Sequence, residues 1–164
     1  MKSIGLLSDT HGFVHPSLRD FLKKTDEIWH AGDIGSYDII ADIRQDKPFR
    51  AVYGNIDDMD IRNEFPEYQS FWIEGVKVIM LHIGGYPYHY SQKAKALINN
   101  HQPNLFISGH SHILKAMFDK KYKMLHLNPG AAGKQGFHQY ITFMRFEIDN
   151  KRIKNLEIAE HPRK

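Results

Sequence analysis

The sequence contains no cysteine among its 164 residues. Disulfide bonds and thiolate-ligated metal sites are therefore excluded, and any bound metal must be held by oxygen and imidazole ligands. The sequence also lacks a long apolar run. Its amino-terminal run meets a charge too early for a signal peptide, and no run approaches the roughly 18 apolar residues of a membrane span. We therefore expect a cytoplasmic protein that does not enter a membrane.

A strong excess of charge of one sign is also missing. Lysine and arginine number 22 against 19 aspartates and glutamates, which gives a net charge of +3. This small excess does not predict a long track for the phosphates of a nucleic acid. The hydrophobic fraction of 41% is that of an ordinary globular protein. Because the length suits one hydrophobic core and no linker interrupts it, we predict a single domain over residues 1–164.

Alternating strands and helices are predicted in the first two thirds of the chain. Five short apolar runs end next to a polar residue and a glycine, which is typical of buried strands. They cover residues 4–8, 27–30, 49–53, 76–81 and 105–108. Helices are predicted between them at residues 16–24, 37–44 and 91–100, the last with Ser91 as its N-cap. This alternation predicts an α/β domain.

The remaining strands are predicted with little helix between them. They cover residues 67–73, 115–119, 123–127, 140–148 and 152–158. Within one of them Phe143, Arg145 and Glu147 alternate with apolar neighbours, which predicts a half-exposed antiparallel strand. We therefore expect a second sheet packed against the first.

Side chains that bind metals follow the five apolar runs. Because ligand sites form at the carboxyl ends of parallel strands, these side chains are expected to meet at one edge. Each motif alone has an ordinary interpretation, such as a turn or a buried histidine. Their shared placement favours a metal centre. The nitrogen and oxygen donors suit manganese, iron, zinc, nickel or cobalt better than a purely oxygen-liganded calcium or magnesium site. The candidate ligands are Asp9, His11, Asp33, Asn55, His82, His110 and His112.

Two ions would explain so many ligands. Ions roughly 3.5–4 Å apart can share a hydroxide that attacks phosphorus in line, and they can hold the phosphate oxygens. The motifs Asp-x-His, Gly-Asp, Gly-Asn, a lone His and Gly-His-x-His occur here in that order. In these motifs and their order, the chain resembles the calcineurin-like metallophosphoesterase superfamily. Over residues 2–130 it is most similar to the small bacterial and archaeal phosphodiesterase branch.

The resemblance implies a four-layer α/β/β/α sandwich of two mixed sheets flanked by helices. It also implies two divalent transition-metal ions, with manganese as the first expectation and nickel, zinc, iron or cobalt as alternatives. One ion would be held by Asp9, His11, Asp33 and His112. The other would be held by Asp33, Asn55, His82 and His110, so that Asp33 bridges. Catalysis would rest on Asp33, Asn55 and His82.

The chain departs from the family pattern after Asn55, where many members have a histidine and this chain has Ile56. The residue that would protonate the leaving group in those members is therefore absent from this chain. Asp57 is either a contributor there or a solvated turn residue. His30 is either a residue that orients a ligand or a plain buried histidine. His89 could reach substrate from the loop after His82, where Tyr86, Tyr88 and Tyr90 could form an aromatic rim.

The function expected from the resemblance is metal-dependent hydrolysis of a small phosphate ester, most simply a phosphodiester. Two alternatives stay open. One is a protein-interaction scaffold, because a trafficking-coat subunit has this fold and fold alone does not decide activity. The other is a nuclease, which the weak net charge does not favour. A homo-oligomer is also left open.

Overall fold

Ten strands and four α-helices make up the chain in a computed structural model that describes residues 1–164. The helices are short, and none has the length and apolar character that crossing a membrane requires. They are α1 (Leu18–Leu22), α2 (Ile40–Arg44), α3 (Met59–Glu64) and α4 (Gln92–His101). The strands are β1 (Lys2–Leu7), β2 (Glu27–His30), β3 (Phe49–Ala51), β4 (Tyr68–Ile73), β5 (Val76–Leu81), β6 (Leu105–Ile107), β7 (Lys115–Asp119), β8 (Met124–Asn128), β9 (Tyr140–Asp149) and β10 (Arg152–Pro162).

The strands form two mixed sheets of five strands each. The first has the order β10-β9-β1-β2-β3, in which β1, β2 and β3 are parallel and β9 and β10 are antiparallel additions. The second has the order β4-β5-β6-β8-β7, with β5, β6 and β8 parallel and an antiparallel strand at each edge. The predicted α/β architecture of two sheets is thereby confirmed.

The main hydrophobic core lies between the two sheets. It contains 15 buried residues, among them Leu6 and Trp29 from the first sheet and Val78 and Met80 from the second. A second cluster packs α1 and α2 on the outer face of the first sheet, and a third packs α4 on the outer face of the second. The molecule is therefore the four-layer sandwich that the family resemblance implies.

All ten predicted strands are present, with ends shifted by up to four residues. The helix predicted at 16–24 is limited to α1, and the first turn of the helix predicted at 37–44 is a 3₁₀ helix over Tyr37–Ile39. Ser91 is the N-cap of α4, since its side chain accepts the Ala94 N–H at 3.1 Å. Helix α3 was not predicted, although Asp58 caps it by accepting the Ile61 N–H at 3.2 Å.

The prediction that β9 exposes one face is wrong at Phe143. Arg145 and Glu147 are partly exposed as expected, but Phe143 is fully buried. Its ring packs in the same cluster as Leu18 and Leu22 of α1, which covers this part of the strand. The first half of β9 is therefore buried on both faces.

Candidate metal centre

The loops that leave five parallel strands bring the seven predicted ligands together. Each loop begins at the carboxyl end of its strand, as expected for an α/β site. Six of the ligands form two groups, and within each group the ligand atoms all lie within 4.8 Å of one another. The first group is Asp9, His11 and His112, and the second is Asp33, His82 and His110.

The seventh residue, Asn55, joins the second group. Its Oδ1 lies 3.1 Å from His82 Nε2 and 3.1 Å from His110 Nδ1. Gly54, which precedes it, must be a glycine, because a Cβ there would collide with the Asp33 carboxylate. The Gly-Asn motif therefore lets two ligand loops approach each other closely.

Five of the seven ligands have a strained backbone conformation. Asp9, His11 and Asp33 have φ angles of 54°, 47° and 58°, and His110 and His112 have φ angles of 70° and 62°. These angles lie in the left-handed region, which L-residues other than glycine seldom adopt and which costs about 1–2 kcal/mol per residue. Such strain typically collects at functional sites, where the surrounding structure over-determines the conformation.

Asp9 is fully buried, and one of its oxygens lacks a donor. Its Oδ2 accepts the Ser8 hydroxyl at 2.6 Å and the His110 N–H at 3.0 Å. Its Oδ1 has no hydrogen-bond partner, although His112 Nε2 lies 3.2 Å away. Burial alone would raise the pKa of Asp9, but the nearby imidazoles of His11 and His112 hold it far below its usual range. Since a buried carboxylate requires a compensating cation, this oxygen is placed to bind one.

Asp33 lies between the two groups. Its Oδ1 accepts the Ile56 N–H at 3.0 Å. Its Oδ2 lies 3.4 Å from His11 Nε2, which belongs to the first group, and 3.2 Å from His82 Nε2, which belongs to the second. Burial raises the pKa of Asp33, but the hydrogen bond with His82 and its charge outweigh this and lower it overall. Asp33 is therefore an ionised group within reach of both ligand sets.

His82 has a fixed orientation. Its Nδ1–H donates to the Ala31 carbonyl at 2.7 Å, so that Nε2 faces the oxygens of Asp33 and Asn55. This second hydrogen bond is the usual means of orienting a metal-binding imidazole. Burial lowers the pKa of His82, but the hydrogen bond and charges of Asp33 and Asp9 raise it by more. Positive charge is thus favoured at Nε2. Either a proton or a divalent metal ion would supply that charge.

The donor set fits divalent metal ions. It combines two carboxylates, an amide oxygen and four imidazoles with no sulfur, which suits first-row transition metals. Besides the free oxygen of Asp9, the Nε2 atom of His11 is buried without a partner. These unpartnered atoms face the interior of the cluster, where a metal would satisfy them.

His30 connects two ligand loops. It is fully buried; the Gly32 N–H donates to its Nδ1 at 3.1 Å, so its Nε2–H donates to the Thr10 hydroxyl at 3.0 Å. Thr10 lies between Asp9 and His11 in the chain, and Gly32 precedes Asp33. Burial lowers the pKa of His30 to about 3, which keeps the ring neutral. This is the arrangement expected of a residue that orients ligands.

Asp57 is buried, not solvated. Its Oδ1 accepts the Gly35 N–H at 2.9 Å, and its Oδ2 accepts the Gly54 N–H at 2.7 Å. Both oxygens are therefore used to fasten the loop of Asp33 to the loop of Asn55, and neither is free for a substrate.

The loop after His82 does not border the site as expected. His89 is exposed, does not line the cleft, and packs against Tyr86 at 5.0 Å between ring centroids. None of the three tyrosines lines the cleft. Tyr90 is buried and donates its hydroxyl to Asp119 at 2.7 Å. The aromatic rim suggested by the sequence is not formed by these residues.

Two further residues hold ligand loops in place. The Arg62 Nε donates to the Asp57 carbonyl at 2.7 Å, and its Nη2 donates to the Asn55 carbonyl at 3.2 Å. The Asn128 amide donates to the Gly109 carbonyl at 3.2 Å. Asn128 begins the sequence Asn-Pro-Gly, which is typical of a turn but does not by itself indicate this contact. Arg62 lies in the helix that was not predicted.

The ligands open into a cleft of about 500 Å³. His138, which the sequence did not single out, lines this cleft and packs edge-on against His112 at 5.2 Å between centroids. Its Nε2–H donates to the Gly133 carbonyl at 2.8 Å. No lysine or arginine lines the cleft. Besides five of the ligands, its lining comprises Ile56, Ser111, Ile113, Gly136, Phe137 and His138.

Comparison with known proteins places the chain among phosphoesterases. Residues 1–151 match the calcineurin-like phosphoesterase superfamily domain. A protein of Methanothermobacter thermautotrophicus named as a probable metallophosphoesterase is 31% identical over 133 residues, which are 78% of this chain and 76% of that protein.

Solved structures show the same fold. A conserved protein from Streptococcus pneumoniae, described as a predicted phosphoesterase, superposes with a TM-score of 0.66 and 26% identity over 99% of this chain and 90% of that one. An archaeal phosphodiesterase superposes with a TM-score of 0.74 and 22% identity over 96% of this chain and 99% of that one. The overall fold is thus common to all three.

Proposed function

This chain belongs to the calcineurin-like phosphoesterase superfamily, and from that premise we propose that it is a phosphodiesterase which hydrolyses a small phosphate diester with two divalent transition-metal ions. One observation carries the proposal. Two groups of metal-binding side chains lie together, and the first contains a buried carboxylate, Asp9, whose Oδ1 has no partner within the protein. This unpartnered acceptor favours a metal centre over an interaction scaffold, and the small net charge of +3 does not favour a nuclease.

The proposed assignment gives one ion to Asp9, His11, Asp33 and His112. The other is given to Asp33, Asn55, His82 and His110, with manganese as the first candidate metal. Support for a bridging Asp33 comes from its Oδ2, which lies within 3.4 Å of a histidine from each group.

When bound, two such ions lower the pKa of water, hold the phosphate oxygens and spread the charge of the transition state. The chain's own contribution is to fix the ligands before substrate arrives. The Ala31 carbonyl sets the tautomer of His82, while His30 and Asp57 tie the ligand loops to one another. Such supporting contacts keep a site in the geometry that catalysis requires.

The charges of the cleft favour a diester over a monoester. A phosphate monoester carries about 1.5–2 negative charges at pH 7, whereas a diester carries one. No lysine or arginine lines this cleft. In the adjoining pocket Arg62 is bonded to backbone carbonyls and Lys93 to Glu67, so the metal ions would be the main free positive charges. The monoanionic diester needs less compensation and fits this arrangement better.

The cleft offers no proton to the leaving group. Ile56 stands directly after Asn55, and the remaining imidazole that is not a ligand belongs to His138. Its Nε2–H is held by the Gly133 carbonyl, and burial lowers the pKa of His138, so its other nitrogen carries no proton at neutral pH. The proposed substrate therefore has a leaving group that departs as an anion.

The test is hydrolysis of bis(p-nitrophenyl) phosphate by metal-stripped protein after addition of manganese, nickel, zinc, magnesium or no metal. We expect a transition metal to restore turnover and p-nitrophenyl phosphate to be a poor substrate. The variant Asp33→Ala should be inactive, whereas Asp46→Asn, at an exposed position outside the cleft, should match the wild type. Turnover that is the same without metal, or in Asp33→Ala, would contradict the proposal.

A further inference from the structure

Three exposed apolar side chains border the otherwise polar cleft. Ile56, Ile113 and Phe137 have relative exposures of 46%, 61% and 102%. Each is next in sequence to a residue of the site: Ile56 follows Asn55, Ile113 follows His112, and Phe137 precedes His138. Exposed apolar surface is therefore present where a substrate would enter.

The fold does not require these three side chains. None belongs to a hydrophobic cluster of the core or packs against one as a partly buried member. Exposed apolar residues gathered around a polar pocket are the usual composition of a site for a ligand that has both polar and apolar parts.

The loop that presents Phe137 is fastened on both sides. The Arg163 guanidinium donates to the Gly136 carbonyl and, at 3.3 Å, to the Lys134 carbonyl, while His138 donates to the Gly133 carbonyl. Gly136 packs so closely against His112 that a Cβ there would collide with the ring. The backbone beside Phe137 is thus held against a ligand residue while the phenyl ring itself contacts nothing. Because the backbone is already fixed, only the side-chain rotamer of Phe137 has to be ordered when a partner binds.

From these observations we propose that the cleft is specific for phosphate diesters that carry a planar aromatic ring. The ring stacks on Phe137 and is flanked by Ile56 and Ile113, while the phosphate lies over the ligand cluster. The position given to the phosphate rests on the proposed function. Stacking on an exposed phenyl ring favours a flat π-system over an aliphatic group of the same size.

Binding of phosphinates tests this without any chemical step. Dimethylphosphinate, dicyclohexylphosphinate and diphenylphosphinate are monoanions with the same two oxygens, and their P–C bonds are not cleaved by phosphoesterases. Isothermal titration calorimetry would measure the affinity of the manganese-reconstituted protein for each. The variants are Phe137→Ala and the matched control Phe118→Ala, which lies on β7 outside the cleft and is 57% exposed.

We expect the wild type to bind diphenylphosphinate about tenfold more tightly than either of the other two, within the range that one aromatic stack contributes. Phe137→Ala should remove most of this preference and leave the affinity for dimethylphosphinate unchanged. Phe118→Ala should behave as the wild type.

The proposal is overturned if the wild type binds the three phosphinates equally or binds none, or if the dicyclohexyl compound binds as well as the diphenyl compound. It is also overturned if Phe137→Ala weakens all three in parallel or changes nothing. Hydrolysis of p-nitrophenyl methyl phosphate by the same preparation tests the function separately. A preference for diphenylphosphinate without hydrolysis would refute the proposed function alone, and hydrolysis without the preference would refute the aromatic specificity alone.

Discussion

Replacing Asp57 by asparagine should destabilise the protein even when no metal is bound. The carboxylate accepts the Gly35 N–H at 2.9 Å and the Gly54 N–H at 2.7 Å in a buried position. Asparagine has the same shape but a single acceptor oxygen, so that one N–H would face an NH₂ group. A hydrogen bond to a charged acceptor contributes about 1.5–3 kcal/mol, and an unsatisfied buried N–H adds a penalty of about 1–3 kcal/mol.

We therefore expect Asp57→Asn to lower the free energy of unfolding by about 3 kcal/mol. For a chain of this length that corresponds to a fall in Tm of roughly 6–12 °C. Urea unfolding in the presence of a chelator would measure the loss in the metal-free protein, so that weaker metal binding does not enter the result.

The control is Asp46→Asn, because Asp46 is exposed and has no hydrogen bond or ion pair. Surface substitutions of this kind usually change stability by less than about 0.5 kcal/mol. If the urea midpoint of Asp57→Asn shifts no more than that of Asp46→Asn, the loop fastening ascribed to Asp57 is refuted.

Three more outcomes are expected. Arg62→Ala frees the Asn55 carbonyl and should weaken manganese binding about 10–100-fold by calorimetry, whereas the exposed Arg19→Ala should not. In a series of aryl methyl phosphates, log kcat/KM should fall steeply as the pKa of the leaving phenol rises; a flat dependence would reveal a proton donor. Burial lowers the pKa of His30 to about 3 and of His126 to about 4. When the pH decreases below the unfolded value of about 6.5, the unfolded state binds more protons than the folded state at these two residues, and their contribution to stability is lost. Some stability of the chelated protein should therefore be lost between pH 7 and pH 5, and His126→Gln should lose less urea midpoint over that range than the wild type. An equal loss would contradict this contribution of His126.

The strands and the ligand positions could be predicted from the sequence because their signals are local. An apolar run that ends in a polar residue beside a glycine indicates both a buried strand and the side chain delivered at its end. The runs before Asp9, Asp33 and His82 are examples. Parallel pairing of β1, β2 and β3 then places the first two of these ligands at one edge of a sheet.

Other features depend on contacts that are distant in sequence. The alternating pattern of β9 predicts that Phe143 is exposed. In the structure α1 covers it, and α1 lies more than a hundred residues earlier in the chain. The role of Asp57 depends on Gly35, 22 positions earlier. Likewise, His138 and Phe137 stand in the loop between β8 and β9, and nothing near them in the chain indicates that this loop returns to the ligand cluster.

The supporting residues could be predicted only in part for the same reason. His30 was singled out because it lies three positions before Asp33, but the tie to Thr10 that defines its role crosses 20 residues. Arg62 gave no signal, because its contacts are with the backbone carbonyls of Asn55 and Asp57, which any residue at those positions would present.

The central claim is that two metal ions share Asp33, and counting the metal ions per chain tests it most directly. Manganese content would be measured by mass spectrometry after reconstitution and removal of loosely bound ions, in the wild type and in Asp33→Ala. The account predicts two ions per wild-type chain and weakened binding of both in Asp33→Ala, because its Oδ2 lies near ligands of both groups. A single ion in the wild type, or two tightly held ions in Asp33→Ala, would contradict it.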